Sequence, residues 1–375
     1  MTGLTVLITN LKLTAQSGTE MYVRDLALEL RKRGHRPVVY TPVGSGLIVD
    51  ELRRATVPVV ERLEQIGVVP DVIHGHHAHQ TMAALLHFGS TPGIFVCHDY
   101  VAWHDEPPLF PRVMRYVAVD DTCWDRLVAQ SGIREWRTEV ILNAVDLTRF
   151  IPRAPLPTRP RRALVFSHLA TEDNFFGEIA AACRLAGIDV EPAGMNSGRL
   201  LEKPEAVLGD YDLVFAKGKA ALEALAMGVA VILCDKMGLG PLVTSSDLDH
   251  LRRCNFGRRL LDCEISREAV ANRIARYDAA DAETVSRRIR EQAGLTTQVD
   301  HLVALYQRVI DEHAANPPGH AEEHAATARY MERLASTTTI IDSENYRRQN
   351  VDLQAEVVRL RQETERLRQS NVAER

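Results

Sequence analysis

Short apolar, β-branched runs recur along most of the chain: "LTVLIT", "PVVYT", "DVIHG", "GIFVCH", "YVAVD" and "EVIL" in its first part, then "ALVFS", "IDVEP", "DLVFA" and "AVILCD". Their apolar character is continuous instead of alternating, which suits strands buried on both faces of a parallel sheet. Helix-period stretches separate them, and this alternation predicts doubly wound α/β sheets. Between the two sets lies "RFIPRAPLPTRPRR", with Pro152, Pro155, Pro157 and Pro160. Such a stretch cannot continue a sheet interior and suits a semi-rigid linker. The pattern therefore predicts a Rossmann-like first domain over 1–150, a linker over 151–161 and a second Rossmann-like domain over 162–313. After Pro317-Pro318-Gly319 the sequence turns polar, which predicts a helical tail over 314–375. Within it Tyr346, Leu353, Leu360 and Leu367 recur every seven residues, with Asn350, Val357, Thr364 and Asn371 between them. That is a short coiled-coil seam over 346–371, expected to support self-association or docking of a partner protein.

Composition narrows the function classes. The chain has 375 residues, 45% of them hydrophobic, and a formal net charge of -5, so it can bury large cores and offers no bulk field for nucleic acid. Its six cysteines are scattered without a C-x-x-C pair, as in a reduced, cytoplasmic protein. The opening "MTGLTVLITN" lacks the basic and apolar regions of a signal peptide, and no apolar run is long enough to span a bilayer. The basic group Arg31, Lys32, Arg33, His35 and Arg36 reads best as cations offsetting a helix dipole, so membrane contact is expected to be peripheral at most.

Three stretches carry candidate chemistry. The turn Ser17-Gly18-Thr19 precedes a helix and exposes backbone N–H groups suited to an anion or a sugar hydroxyl, without matching a dinucleotide fingerprint or a P-loop. In "YDLVFAKGKAALEALAMGVAVILCD" a strand runs into Lys217-Gly218-Lys219 and then a helix. Close backbone approach at Gly218, free N–H groups and two ammonium groups make this a pyrophosphate seat. Glu223, one turn into that helix, can accept hydrogen bonds from a ribose diol. Finally, "DVIHGHHAH" packs His74, His76, His77 and His79 into six positions. Period two puts His74 and His76 on one strand face and sends His77 to the other, so the four cannot converge on a metal without a tight bend. His76 and His77 are expected instead to line a ligand crevice at the strand's end. The D-x-D pairs Asp210-Tyr211-Asp212 and Asp247-Leu248-Asp249 open a strand and a helix, and no metal site is assigned to them either.

Over residues 1–313 the chain resembles a GT-B-fold glycosyltransferase of the family-4 type. The resemblance rests on "SGTEMYVRDLALELRKRGHRPVVYTP", "DVIHGHH", the strand-end His98-Asp99, "VILNAVDLTRF" and "ALEALAMGVAVIL", in that order. It implies two Rossmann-like domains facing across a cleft, with a nucleotide-sugar donor held by the second and an acceptor by the first, and no cofactor beyond the donor. By motif position it implies ribose binding by Glu223, a donor loop at Gly18 and Thr19, and a catalytic-cleft role for His98. Two features depart from the family: Phe215 occupies the place of a second glutamate, and "FSHLATEDNFFG" replaces the usual basic residues. Lys217 or Lys219 is then expected to take over the pyrophosphate, beside a loop at Gly238, Gly240 and Thr244. On the acceptor side, "CHDYVAWHDEPPLF" supplies Tyr100, Trp103, His104 and Asp105, and a general base would come from His98, His104, Asp105 or Glu106. The expected activity is metal-independent glycosyl transfer to a glycan, protein or small molecule in surface-glycan synthesis, with retention slightly favoured. A nucleotide-sugar epimerase of the same fold and a catalytically weakened scaffold subunit remain the alternatives.

Overall fold

The computed structural model describes residues 3–15, 17–171 and 174–336. The first part of the chain forms β1 (Thr5–Thr9), α1 (Gly18–Lys32), β2 (Arg36–Tyr40), α2 (Leu47–Arg54), β3 (Val59–Val60), β4 (Val72–His76), α3 (Ala78–His87), β5 (Gly93–Cys97), β6 (Val113–Ala118), α4 (Asp121–Asp125) and β7 (Thr138–Val140). These strands make one parallel sheet in the order β3-β2-β1-β4-β5-β6-β7. The second part forms β8 (Arg162–Phe166), α5 (Phe176–Leu185), β9 (Asp189–Ala193), β10 (Leu213–Ala216), α6 (Gly218–Ala226), β11 (Ala230–Asp235), β12 (Gly238–Leu242), α7 (Leu248–Arg253), α8 (Arg267–Ile274), α9 (Ala279–Gln292) and α10 (Leu295–Ala315). Its sheet runs β12-β11-β10-β8-β9, parallel except for β12.

All the expected strands form, because helices on both sheet faces bury their continuous apolar runs. Every residue of β1, β4, β5, β10 and β11 is buried. Phe215, at the family's glutamate position, lies inside β10 and packs with Val165, Ile232 and Leu239. A glutamate cannot occupy it without stranding a charge in that core. Close helix–sheet packing in the first domain depends on Gly75, where a Cβ would meet the Thr81 side chain at 2.5 Å.

Strand order reverses between β1 and β4 in one sheet and between β8 and β10 in the other. At such reversals neighbouring helices leave on opposite faces and a crevice opens at the carboxyl ends of the strands. The chain after the second sheet returns to the first: α10 packs on α1 and β5, Gln298 donates to Leu142 O at 2.8 Å, and Tyr306 Oη lies 2.5 Å from His74 Nδ1. Among the described residues, 318–336 with 109–111 belong to a second compact unit, in which 320–336 are helical. The heptad at 346–371 lies outside the described residues. Among the described residues no helix is long and apolar enough to cross a membrane.

Candidate functional site

Between the two sets of strand ends lies a cleft with a volume of about 580 Å³. Its first-domain wall carries Gly18, Thr19, His98, Tyr100, His104 and Asp105, and its second-domain wall carries Lys217, Gly218, Lys219 and Glu223. Ten of the sequence-predicted site residues thus meet in one place. Six do not. His76 and His77 are buried behind the first wall, and Trp103 lies outside the lining, its ring 5.4 Å from that of His104. Gly238 and Gly240 sit in the edge strand β12, where a Cβ on either would strike the carbonyls of Leu261 or Leu260. Thr244 lines a separate hollow with Ser245 and Asp281.

The second wall begins where β10 passes into α6 through a single residue. Lys217 is the helix N-cap, and Gly218 follows with a left-handed φ of 58° that a side chain would strain. The Gly218 N–H is taken by Phe256 O at 2.9 Å, so the N–H groups left in the first turn are those of Lys219 and Ala220, both residues of the cleft lining. The two lysines differ in their freedom. Lys217, with 44% of its side chain exposed, lies 2.6 Å from Asp235 at the end of β11. Ser167, at the end of β8, donates to the same carboxylate at 3.2 Å.

Lys219 is 13% exposed and donates to Asp25 Oδ2 at 2.8 Å and to Ala144 O at 3.3 Å. Asp25 belongs to α1, so this ion pair joins the two domains at the base of the cleft. Arg24 and Arg149 also face Asp25. Burial alone would raise the Asp25 carboxyl, but Lys219 and Arg24 outweigh it and hold it below the usual range. Burial would likewise lower Lys219, and Asp25 with Glu223 holds it up. Glu223, 3.7 Å from Lys219, is pushed up to about 7 by burial. At the rim, Arg253–Asp121 and Arg259–Asp125 pairs bridge the domains in the open.

The first wall is built from rings. Tyr22 of α1 meets His76 and His98 edge-on, with centroids 5.2 and 4.9 Å apart. His98 Nε2 is 2.7 Å from His76 Nδ1. Burial drives His74, His77 and His98 down to about 3, and His76 well below its ordinary value. Asp105 is pushed up to about 7 by burial; its Oδ2 accepts the His98 backbone N–H at 3.2 Å while its Oδ1 has no hydrogen-bond partner among the described residues.

His77, His104 and Asp105 offer ligand atoms within 4.8 Å of one another, the spacing of a metal site. The donor chemistry does not fit one. His77 Nδ1 accepts the Leu11 N–H at 2.9 Å, which leaves the ring proton of the neutral imidazole on Nε2. That nitrogen faces Asp105 Oδ1 at 4.0 Å. A metal there would need Nε2 bare and Nδ1 protonated against a second N–H, the reverse of the outer-shell arrangement that supports metal-bound histidines.

Residues that local sequence reasoning missed are Asp25, Asp235, Ser167, His168, Asn255 and Arg258. Asp235 and Ser167 follow directly on β11 and β8, so strand-end position was the available signal. Nothing local marks Asp25, whose partner is 194 residues away.

Residues 16–149 match the family model described as Glycosyltransferase Family 4. A glycosyltransferase from Rickettsia africae ESF-5 has a similar structure, with a TM-score of 0.61 at 13% identity over 83% of this chain and 99% of that one. Anabaena HepE, solved in complex with UDP and glucose, has a TM-score of 0.56 at 15% identity over 81% of this chain and 100% of that one. No curated protein matches the chain in sequence. Two doubly wound sheets with their strand ends facing across one cleft, shared with these structures over nearly their whole lengths, give the chain the GT-B fold of glycosyltransferases.

Proposed function

We propose that the protein transfers a glycosyl group from a nucleotide-sugar donor to a hydroxyl-bearing acceptor, without a metal ion. The observation that carries this reading is the second wall: a helix N-terminus capped by an accessible lysine, with a buried carboxylate one turn further in. Lys217 and the free N–H groups of α6 suit a diphosphate, with Arg258 exposed on the same wall. Glu223 suits the ribose hydroxyls, which would give its carboxylate the hydrogen bonds that burial denies it. Lys219 is committed to Asp25 and Glu223, so the diphosphate falls to Lys217.

In the reaction the bond between the anomeric carbon and the phosphate oxygen breaks, and its electron pair stays with the nucleoside diphosphate. The acceptor oxygen bonds to the same carbon and releases its proton. The transition state resembles an oxocarbenium ion, and the growing phosphate charge is what a fixed ammonium and helix N–H groups stabilise in a cleft that sheds water. The proton goes to the leaving phosphate if configuration is retained, or to a carboxylate such as Asp105 if it is inverted. Metal independence accords with the His77 tautomer.

Calorimetry with UDP, GDP, CMP and ADP tests the reading, with UDP first because HepE holds it. Binding of one nucleotide, unchanged by EDTA, followed by slow hydrolysis of the matching nucleotide sugar, is the expected result. Absence of binding to all four would overturn it and leave a GT-B scaffold. Release of free nucleotide with an epimerised sugar and no acceptor product would favour the epimerase.

A further inference from the structure

Four rings stand in a row from α10 to the cleft: Tyr306, His74, His76 and His98. Tyr306 Oη and His74 Nδ1 are 2.5 Å apart. The rings of His74 and His76 adjoin, with centroids separated by 4.6 Å. His76 Nδ1 is 2.7 Å from His98 Nε2, and His98 lines the cleft. His74 Nε2 and His76 Nε2 are buried and have no hydrogen-bond partner among the described residues. Burial keeps all three imidazoles neutral. Each therefore carries one ring proton, donates from one nitrogen and accepts at the other.

The positions of those protons follow from the groups each choice leaves unpaired. If His74 donated to the Tyr306 oxygen, both the phenol proton and the bare Nε2 would lack partners. If Tyr306 donates instead, only the Nε2–H of His74 is left over. The second choice abandons fewer buried groups. His76 then has two options. A proton on Nε2 would set a second unpaired N–H close to that of His74, and unpaired buried N–H groups are the rarest kind. A proton on Nδ1 lets His76 donate to His98 and leaves only its bare Nε2 without a partner. His98, accepting at Nε2, must then hold its own proton on Nδ1.

We propose that the two hydrogen bonds of the row are polarised alike, Tyr306 donating to His74 and His76 donating to His98, so that His98 presents an N–H donor to an oxygen atom of the bound ligand. His98 is thereby removed from the list of general bases, because the nitrogen left for the cleft has no lone pair to receive a proton. His76 acts as a positioning residue that fixes the tautomer of His98 without touching substrate. The inference concerns the free protein, so it stands or falls independently of whether a nucleotide sugar binds.

The test is a long-range proton–nitrogen correlation spectrum of the full chain labelled with ¹⁵N-histidine, at pH 7.5. Such spectra separate the two neutral tautomers by the ring protons that couple to the bare nitrogen. The His98 signals are identified by their loss in His98→Gln. The expected result is Nδ1–H for His98 and His76 and Nε2–H for His74. An Nε2–H tautomer or a charged ring at His98 would overturn the proposal. In His76→Phe, His98 is expected to become a mixture of both tautomers; retention of pure Nδ1–H would remove the positioning role from His76. If that variant does not fold, the wild-type spectrum still decides the direction of the row.

Discussion

The two walls of the cleft reach buried polarity by opposite routes. The first wall keeps its titratable rings uncharged: His74, His76 and His77 are buried behind its surface, His98 is half-buried in it, and the carboxyl beside them, Asp105, is pushed toward its neutral form. The second wall keeps its charges and pairs them, Lys219 with Asp25 and Lys217 with Asp235. A neutral wall can offer directed hydrogen bonds to sugar hydroxyls at little electrostatic cost, whereas a charged wall can meet a diphosphate. In the proposed function, the neutral wall suits the sugar and the charged wall the phosphate.

The largest expected effect comes from breaking the link between the walls. Asp25→Asn takes the nearest carboxylate from Lys219 in a buried site, and loss of one partner from a buried ion pair costs about 3–5 kcal/mol. Chemical denaturation should show a loss of that size, and a drop below about 1 kcal/mol would mean that water reaches the pair. The neutral wall is challenged by acid. The unfolded chain protonates these histidines near pH 6.5 while the folded one resists, so stability is full above that pH and falls as pH drops toward about 3. Each such ring contributes a slope of about 1.4 kcal/mol per pH unit in that window. Denaturation midpoints between pH 7 and 5 should fall steeply, and a flat profile would show that the rings are charged or solvated at neutrality.

The charged wall is challenged by Lys217→Ala. Loss of the accessible ammonium should raise the donor KM or lower turnover about tenfold. Folding should be little affected, since the lysine is half in solvent; an unchanged enzyme would return the diphosphate to Lys219. The smallest effect is expected at Asp105→Asn. The Asp105 carboxyl binds its proton more tightly folded than unfolded, so its charge weakens the fold as pH rises from about 4 to 7. Relative to the wild type, the amide should gain stability between pH 4 and pH 8, and an equal difference at both pH values would show that the carboxyl is not held in its neutral form. Burial sets the direction of this shift, the Asp99 carboxylate adds to it, and Arg126 with the His98 backbone N–H opposes it. If Asp105 receives the acceptor proton, wild-type activity should rise through about pH 7 and the variant should lose that rise.

Where residues act through local pattern, the sequence was legible. Continuous apolar runs marked the long strands because both sheet faces are covered. β12 was missed because Gly-Leu-Gly-Pro-Leu has the composition of a turn, and it forms only as an antiparallel edge on β11. Lys217 and Glu223 were readable because strand, short turn and helix N-terminus follow one another in the chain. The burial of His77 behind the wall was not, because a positive φ of 62° folds its ring inward to meet the Leu11 N–H, a partner 66 residues away. Asp25 and Asp235 likewise gain meaning only from side chains that the fold brings to them.

The return of α10 to the first sheet has a consequence for how the protein is made. A ribosome delivers β4, and with it His74, long before it delivers Tyr306, 232 residues later. Domains tend to fold as they emerge, yet this first domain must wait through synthesis of the entire second domain for the helix that covers its histidine row. A nascent chain halted near residue 161 should therefore hold a formed but unsealed sheet, open on the face that α10 later closes, and would be a natural client for chaperones at that stage.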